Sequence, residues 1–231
     1  MFKYPIFITG TNIVNYKMPK TAIVTGASGL IGNLLVQALL QDGTFDRVRA
    51  IVRKPLLLEH PRLENAVVSF EDTGALEKAL QGDVLFCCIG TTIKTAGSQA
   101  VFAAVDFGIP VNTGRIALQN GVSQYHLVSA VGANARSSNF YLRTKGQTED
   151  ALIQMGFPSL FIYRPSLLLG NRKEVRFGEQ VAQVLMPAFN FFMKGRLRKY
   201  KPVKAETVAA AMIAHAKTGE KGVSVIEGFA D

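Results

Sequence analysis

The chain has 231 residues, 48% of them hydrophobic and 19% charged, with two cysteines and a formal charge of +9. That balance excludes general disorder and suffices for one α/β domain with a core of its own. The positive charge favours anionic partners, whether cofactor phosphates, nucleic acid or an acidic lipid surface, without choosing among them.

Residues 1–17 differ in character from the rest of the chain and are expected to be an extension ahead of the domain, with 6–9 as a candidate extra edge strand. From Met18 a single domain, 18–231, is expected. Strand-length apolar runs alternate there with helical patterns, as in βαβ units. Residues 21–25 form the first strand, 30–41 its helix, 47–52 the second strand and 66–70 the third. A short helix at 74–81 precedes a fourth strand at 84–89. Helical residues from 99 run toward Asn120, where Gly121 ends them before a fifth strand at 125–129. A helix over 139–155 stops at Gly156, and 160–163 make the sixth strand. After Gly170 the regular alternation is expected to stop and a mixed helical and basic segment to form the C-terminal part, with 170–204 contributing a small substrate-side lobe. The whole is a doubly wound, mostly parallel α/β sheet of Rossmann type with strand order 3-2-1-4-5-6.

Thr25-Gly26-Ala27-Ser28-Gly29-Leu30-Ile31-Gly32 lies between the first strand and its helix, the setting of a dinucleotide phosphate loop. Gly26 makes the tight turn, Gly29 admits a pyrophosphate, and Gly32 lets helix and strand pack closely. The helix N-terminus then favours the anion. Where an NAD enzyme carries an acid at the end of the second strand, this chain has Arg53 and Lys54. A guanidinium pairs bidentately with a 2′-phosphate, so NADP(H) is expected in preference to NAD(H).

Tyr141-Leu142-Arg143-Thr144-Lys145 puts a phenol and an ammonium one helical turn apart on one face. The cation favours the phenolate, so Tyr141 suits proton exchange with a carbonyl or alcohol oxygen. Ser129, at the end of the fifth strand, is expected to hydrogen-bond the same oxygen.

With these in place the chain resembles the short-chain dehydrogenase/reductase superfamily in its extended or atypical form. Cys87-Cys88-Ile89-Gly90-Thr91-Thr92 and Leu168-Leu169-Gly170-Asn171-Arg172-Lys173-Glu174-Val175-Arg176 resemble the Tat-interacting-protein oxidoreductase branch. The resemblance implies a ribose contact at Ile89, Gly90, Thr91 and Thr92, and a nicotinamide contact at Pro165 and Ser166. It also implies an adenine contact near Phe70, and a ribose contact for Lys145 beside its catalytic part with Ser129 and Tyr141. Two positions depart from the pattern: Ser69 stands where relatives often carry Asp, and Ser129-Ala130 offers one hydroxyl where relatives often show two. The implied activity is NADP(H)-dependent reduction of a carbonyl or oxidation of an alcohol. The alternative is an NADP(H)-binding regulatory or protein-interaction module with little turnover.

Phe189-Asn190-Phe191-Phe192-Met193 leads into the basic run Lys194-Gly195-Arg196-Leu197-Arg198-Lys199-Tyr200-Lys201. Such interleaving also marks nucleic-acid or membrane-surface contacts. The favoured reading places the aromatics over a small apolar substrate and the charges in solvent. Cys87 and Cys88 sit in an apolar run and are expected as reduced thiols on a buried strand. His60, His126 and His215 share no metal-ligand spacing, and no metal is expected. The longest apolar stretch, 181–193, is broken by Pro187 and Asn190, so no membrane span is expected. With reduced thiols and no secretory pattern, the expected compartment is the cytoplasm. Monomer and dimer stay equally open.

Overall fold

The structure, a computed structural model, describes residues 20–169 and 199–229 together with the backbone of Ile8–Thr9 (β1) and Asn12–Ile13 (β2). β1 and β2 pair antiparallel in a sheet of their own, so Ile8–Thr9 is no edge strand of the main sheet. The rest of the 1–17 extension, and residues 170–198 of the expected lobe, lie outside the described residues.

The main sheet is built from Thr21–Thr25 (β3), Arg47–Val52 (β4), Leu63–Val67 (β5), Val84–Cys87 (β6), Gln124–Val128 (β7) and Ser159–Tyr163 (β8). Every pairing is parallel, and the order β5-β4-β3-β6-β7-β8 is the expected 3-2-1-4-5-6. A seventh strand, Gly222–Ile226, extends it beside β8. Between β8 and that strand lie Leu168–Leu169 (β9), Val203–Lys204 (β10), which pairs with β9, and the helix Ala205–Thr218; the outer strand is β11. The alternation therefore resumes after Gly170 instead of stopping. The helix buries Ala205, Val208, Ala209, Met212, Ile213 and Ala216 at helical spacing and ends on left-handed Gly219.

The third strand lies at Leu63–Val67, not 66–70. It pairs on one side only and is half-buried, so it lacks the apolar run that marks the central strands, while Val68 and Phe70 pack on the core from beyond its end. Leu30–Asp42 (α1) and the helix Ala205–Thr218 cover one face of the sheet. Thr73–Ala79 (α2), Ile93–Ala96 (α3), Gln99–Ala103 (α4), Ile109–Gln119 (α5) and Phe140–Met155 (α6) come next along the chain, and the helix Ala205–Thr218 becomes α7. Leu76 of α2, Ile116 of α5 and Leu152 of α6 lie in the second core, on the sheet's other face. Neighbouring residues of β3 divide between the cores, Ala22 and Val24 on one side and Ile23 on the other.

α4 and α5 are joined without a break by a π-turn, Ala104–Gly108. Pro110 has no N–H to return to the carbonyl of Asp106, and the ladder widens there. The Thr148 hydroxyl of α6 lies 3.0 Å from that carbonyl and 2.9 Å from the Thr144 carbonyl, with one proton to share between them. The continuous helix, 99–119, is long and apolar enough to cross a membrane by length and composition, although no span was expected from the sequence. Its Phe102, Ile116 and Ala117 are packed in the protein core.

His126 of β7 is fully buried between Phe86 and Phe161, ring centroids at 4.6 and 4.8 Å, with Nδ1 2.9 Å from the Tyr163 hydroxyl. Burial, helped by His215, holds its pKa well below the ordinary value. The neutral ring's contribution is complete above the unfolded pKa near 6.5 and is lost as pH falls below it, at up to about 1.4 kcal/mol per pH unit. Urea unfolding at pH 7.5, 6 and 5 should show the parent weakening more steeply than His126→Phe. Parallel pH dependences would refute this.

Candidate active site

The site residues expected from sequence gather at the carboxyl edge of the sheet, around the switch point where β3 neighbours both β4 and β6. Gly26 has φ +73°, and a Cβ there would stand 2.5 Å from the carbonyl carbon of Cys88 and 2.7 Å from the nitrogen of Ile89. Only glycine allows β6 to pass so close. A Cβ on Gly32 would overlap the Gly26 carbonyl oxygen, which explains the helix packing. Gly29 is the N-cap of α1, with its N–H on the Gly26 carbonyl at 3.0 Å and no side-chain cap. The first-turn N–H groups at Leu30, Ile31 and Gly32 are thus left to an external acceptor, with Ser28 exposed beside them. This cradle, closed to any larger residue, fits a dinucleotide pyrophosphate.

Arg53 and Lys54 are exposed just past β4, and neither is paired with another described residue. Phe70 is half-buried against the core near the β5 end. Beyond β6, Thr92 caps α3, its hydroxyl accepting from Thr95 N–H at 2.9 Å. Pro165 is buried and its carbonyl accepts from Val131 N–H at 2.9 Å, while Ser166 donates to the Lys201 carbonyl. The basic run is described from Lys199 onward.

Lys145 is buried on α6, its Nζ 2.7 Å from Asp106 Oδ1. The other oxygen of Asp106 accepts from Thr91 N–H at 2.8 Å, so one carboxylate, presented by the π-turn, ties the expected ribose segment to the expected lysine. Burial alone would push Lys145 down; Asp106, and after it Tyr141, outweigh that and hold its pKa above the ordinary value. The ammonium therefore stays charged. Tyr141 is half-buried one turn before it, its ring 5.7 Å from Phe102 at 53°. A Cβ on Gly90 would lie 3.6 Å from Asp106 Oδ1 and 3.7 Å from Lys145 Nζ, so the loop after β6 passes close to that ion pair.

Ser129 is 5% exposed, and its hydroxyl donates to Glu149, one turn beyond Lys145 on α6. Glu149 takes Arg164 Nε at 3.0 Å on Oε1. Arg164 in turn reaches Glu227 at 3.1 Å, which also binds Lys199 Nζ at 3.1 Å. On the far side of Glu149 an open polar cavity of about 370 Å³ is bounded by Asn134, Arg136, Asp150 and Arg164.

Asp106, Glu149 and Arg164 were not among the residues expected from sequence. Glu149 had a legible signal, since it continues the four-residue spacing of Tyr141 and Lys145. Asp106 had a weaker one, as the lone charge between Lys94 and Arg115.

The profile of the NAD(P)H-binding family matches residues 26–187. Protein HTATIP2 of Rattus norvegicus is 36% identical over 174 residues, covering 73% of this chain and 72% of that one. Protein FMP52, mitochondrial, of Candida albicans is 30% identical over 209 residues, covering 87% of this chain and 90% of that one. Among solved structures, the Bordetella bronchiseptica enzyme WbmH in complex with NAD+ superposes with a TM-score of 0.68 at 18% identity, over 91% of this chain and 75% of that one. MoeE5 in complex with UDP-glucuronic acid and NAD gives 0.69 at 19% identity, over 89% and 75%. At such identities these two establish the fold. The expectation of a cytoplasmic protein is corrected by the relatives named mitochondrial. Reduced thiols and the lack of a secretory pattern, on which it rested, do not separate those two compartments.

Proposed function

The chain belongs to the NAD(P)H-binding, atypical short-chain dehydrogenase/reductase family, in the branch of HTATIP2 and FMP52, and we propose that it is an NADP(H)-dependent oxidoreductase. It reduces a carbonyl or oxidises an alcohol. The observation that carries this reading is the buried, charged Lys145 one turn from Tyr141, beside a glycine cradle shaped for a dinucleotide.

Gly26, Gly29 and Gly32 would hold the pyrophosphate, Arg53 and Lys54 the 2′-phosphate, Phe70 the adenine, and Ile89, Gly90, Thr91 and Thr92 a ribose, with Pro165 and Ser166 at the nicotinamide. When bound, the cofactor supplies or takes the hydride. Tyr141 exchanges the proton with the substrate oxygen, one helical turn from the charged Lys145. The apolar run Phe189-Asn190-Phe191-Phe192-Met193, outside the described residues, supports a small apolar substrate. The relatives' names support a mitochondrial location.

One observation favours the regulatory reading: the Lys145 ammonium is already engaged by Asp106 at 2.7 Å. The two separate by turnover. A reductase consumes NADPH with a panel of aldehydes, ketones and quinones; a sensor binds NADPH and consumes none.

Arg53→Ala tests the cofactor choice. Charge-assisted bonds of about 1.5–3 kcal/mol imply a roughly 10- to 100-fold loss of NADPH affinity with NADH unchanged. Equal affinities for both nucleotides in the parent would remove Arg53 from this role.

A further inference from the structure

The hydroxyl expected to steady a substrate carbonyl points its proton elsewhere. Glu149 is 3% exposed, and both of its oxygens are within bonding distance of the Arg164 guanidinium. Its charge is further embedded in the alternating row Glu149, Arg164, Glu227, Lys199. An ionised carboxylate can only accept, so Ser129, which meets it directly, must donate. Such a bond is roughly twice as strong as one to a neutral carbonyl. The main chain at Ser129 is fixed by its N–H on the Tyr163 carbonyl at 2.7 Å, and the residue is 5% exposed. The next residue, Ala130, brings no second hydroxyl.

Resting on the reductase reading above, we propose that Glu149 is a positioning residue that sets the direction in which Ser129 works. Ser129 donates its one hydroxyl hydrogen bond to Glu149 and keeps only lone pairs for any ligand that reaches it. It therefore accepts from a ligand N–H or O–H and does not donate to a carbonyl oxygen. Tyr141 carries the proton for that oxygen, and Ser129 adds nothing to the negative charge that develops there.

The variant Glu149→Gln reverses that polarity. Arg164 can only donate, so it takes the amide oxygen, and the amide NH₂ is turned toward Ser129. Ser129 then accepts from Gln at this position, and its own proton is released to the site. With NADPH and 9,10-phenanthrenequinone as the probe, Glu149→Gln is expected to raise kcat by about fivefold or more, the scale of one neutral hydrogen bond made in the transition state. KM for NADPH should be unchanged. The gain should vanish in Ser129→Ala/Glu149→Gln. A fall or no change in kcat for Glu149→Gln, or a gain that survives removal of Ser129, would overturn the proposal.

A substrate-free arm separates this from the reductase reading. In urea unfolding of the parent, the two single variants and the double, Ser129→Ala should lower the folding constant about tenfold more in the parent than in the Glu149→Gln background, because only the parent loses a charge-assisted bond. Equal costs in both backgrounds would overturn the proposal. If no variant turns over the quinone while the coupling is present, the reductase reading fails and the donation from Ser129 to Glu149 stands.

Discussion

Tyr141→Phe is expected to lower carbonyl reduction by about 100- to 10 000-fold, the usual range for a positioned proton donor. The substitution removes one oxygen and keeps the ring. Its contact with Phe102 at 5.7 Å therefore survives, and so should the fold. Lys145 retains Asp106 at 2.7 Å and stays charged. NADPH affinity should change by less than about twofold, since the phenol is assigned to the substrate oxygen and kcat alone then reports its loss. Stopped-flow oxidation of bound NADPH measures this step directly. Undiminished hydride transfer in Tyr141→Phe would exclude the tyrosine as the acid.

The second large effect concerns the cradle. Gly26→Ala places a methyl group 2.5 to 2.7 Å from the backbone of Cys88 and Ile89, far inside contact distance, and adds the strain of a left-handed φ. Backbone has no rotamer with which to escape, so the Cys88–Ile89 segment must move. That segment leads into the proposed ribose contacts, and NADPH affinity should fall by roughly 100-fold or more, as expected when a phosphate loop loses its geometry. Gly43→Ala is the control. It has nearly the same φ, +72°, but nothing within 4 Å of a Cβ. It should cost only about 1–2 kcal/mol of conformational strain and leave affinity intact. Thermal melts with and without NADPH distinguish the two; equal ligand-induced shifts in Gly26→Ala and the parent would contradict the cradle.

The first half of the fold was legible because its signals are local. β3, β4 and the glycine turn arise from apolar runs and glycine spacing, and the structure places β3 and β4 on the expected residues. The edge strand β5 was displaced because half-burial on one side weakens the apolar pattern that marks a strand. After Gly170 helical structure was expected but not placed, and β11 was missed, for a different reason. The helix Ala205–Thr218 comes after a basic run, and half of its buried face is alanine (Ala205, Ala209 and Ala216), which carries little hydrophobic contrast.

At the site, the types and order of Ser129, Tyr141 and Lys145 were readable, and their bonding was not. Which residue takes the proton of Ser129 depends on Arg164 arriving from the end of β8, a contact across separate elements. The partner of Lys145 depends likewise on a π-turn whose cause, Pro110, lies four residues past Asp106. Neither juxtaposition is periodic along the chain, so neither could be seen in it.

The most direct test of the central claim is calorimetric titration of the intact chain with NADPH and with NADH. One NADPH per chain, bound at least about tenfold more tightly than NADH as a paired 2′-phosphate requires, is the predicted result. The absence of saturable heat with either nucleotide would contradict it.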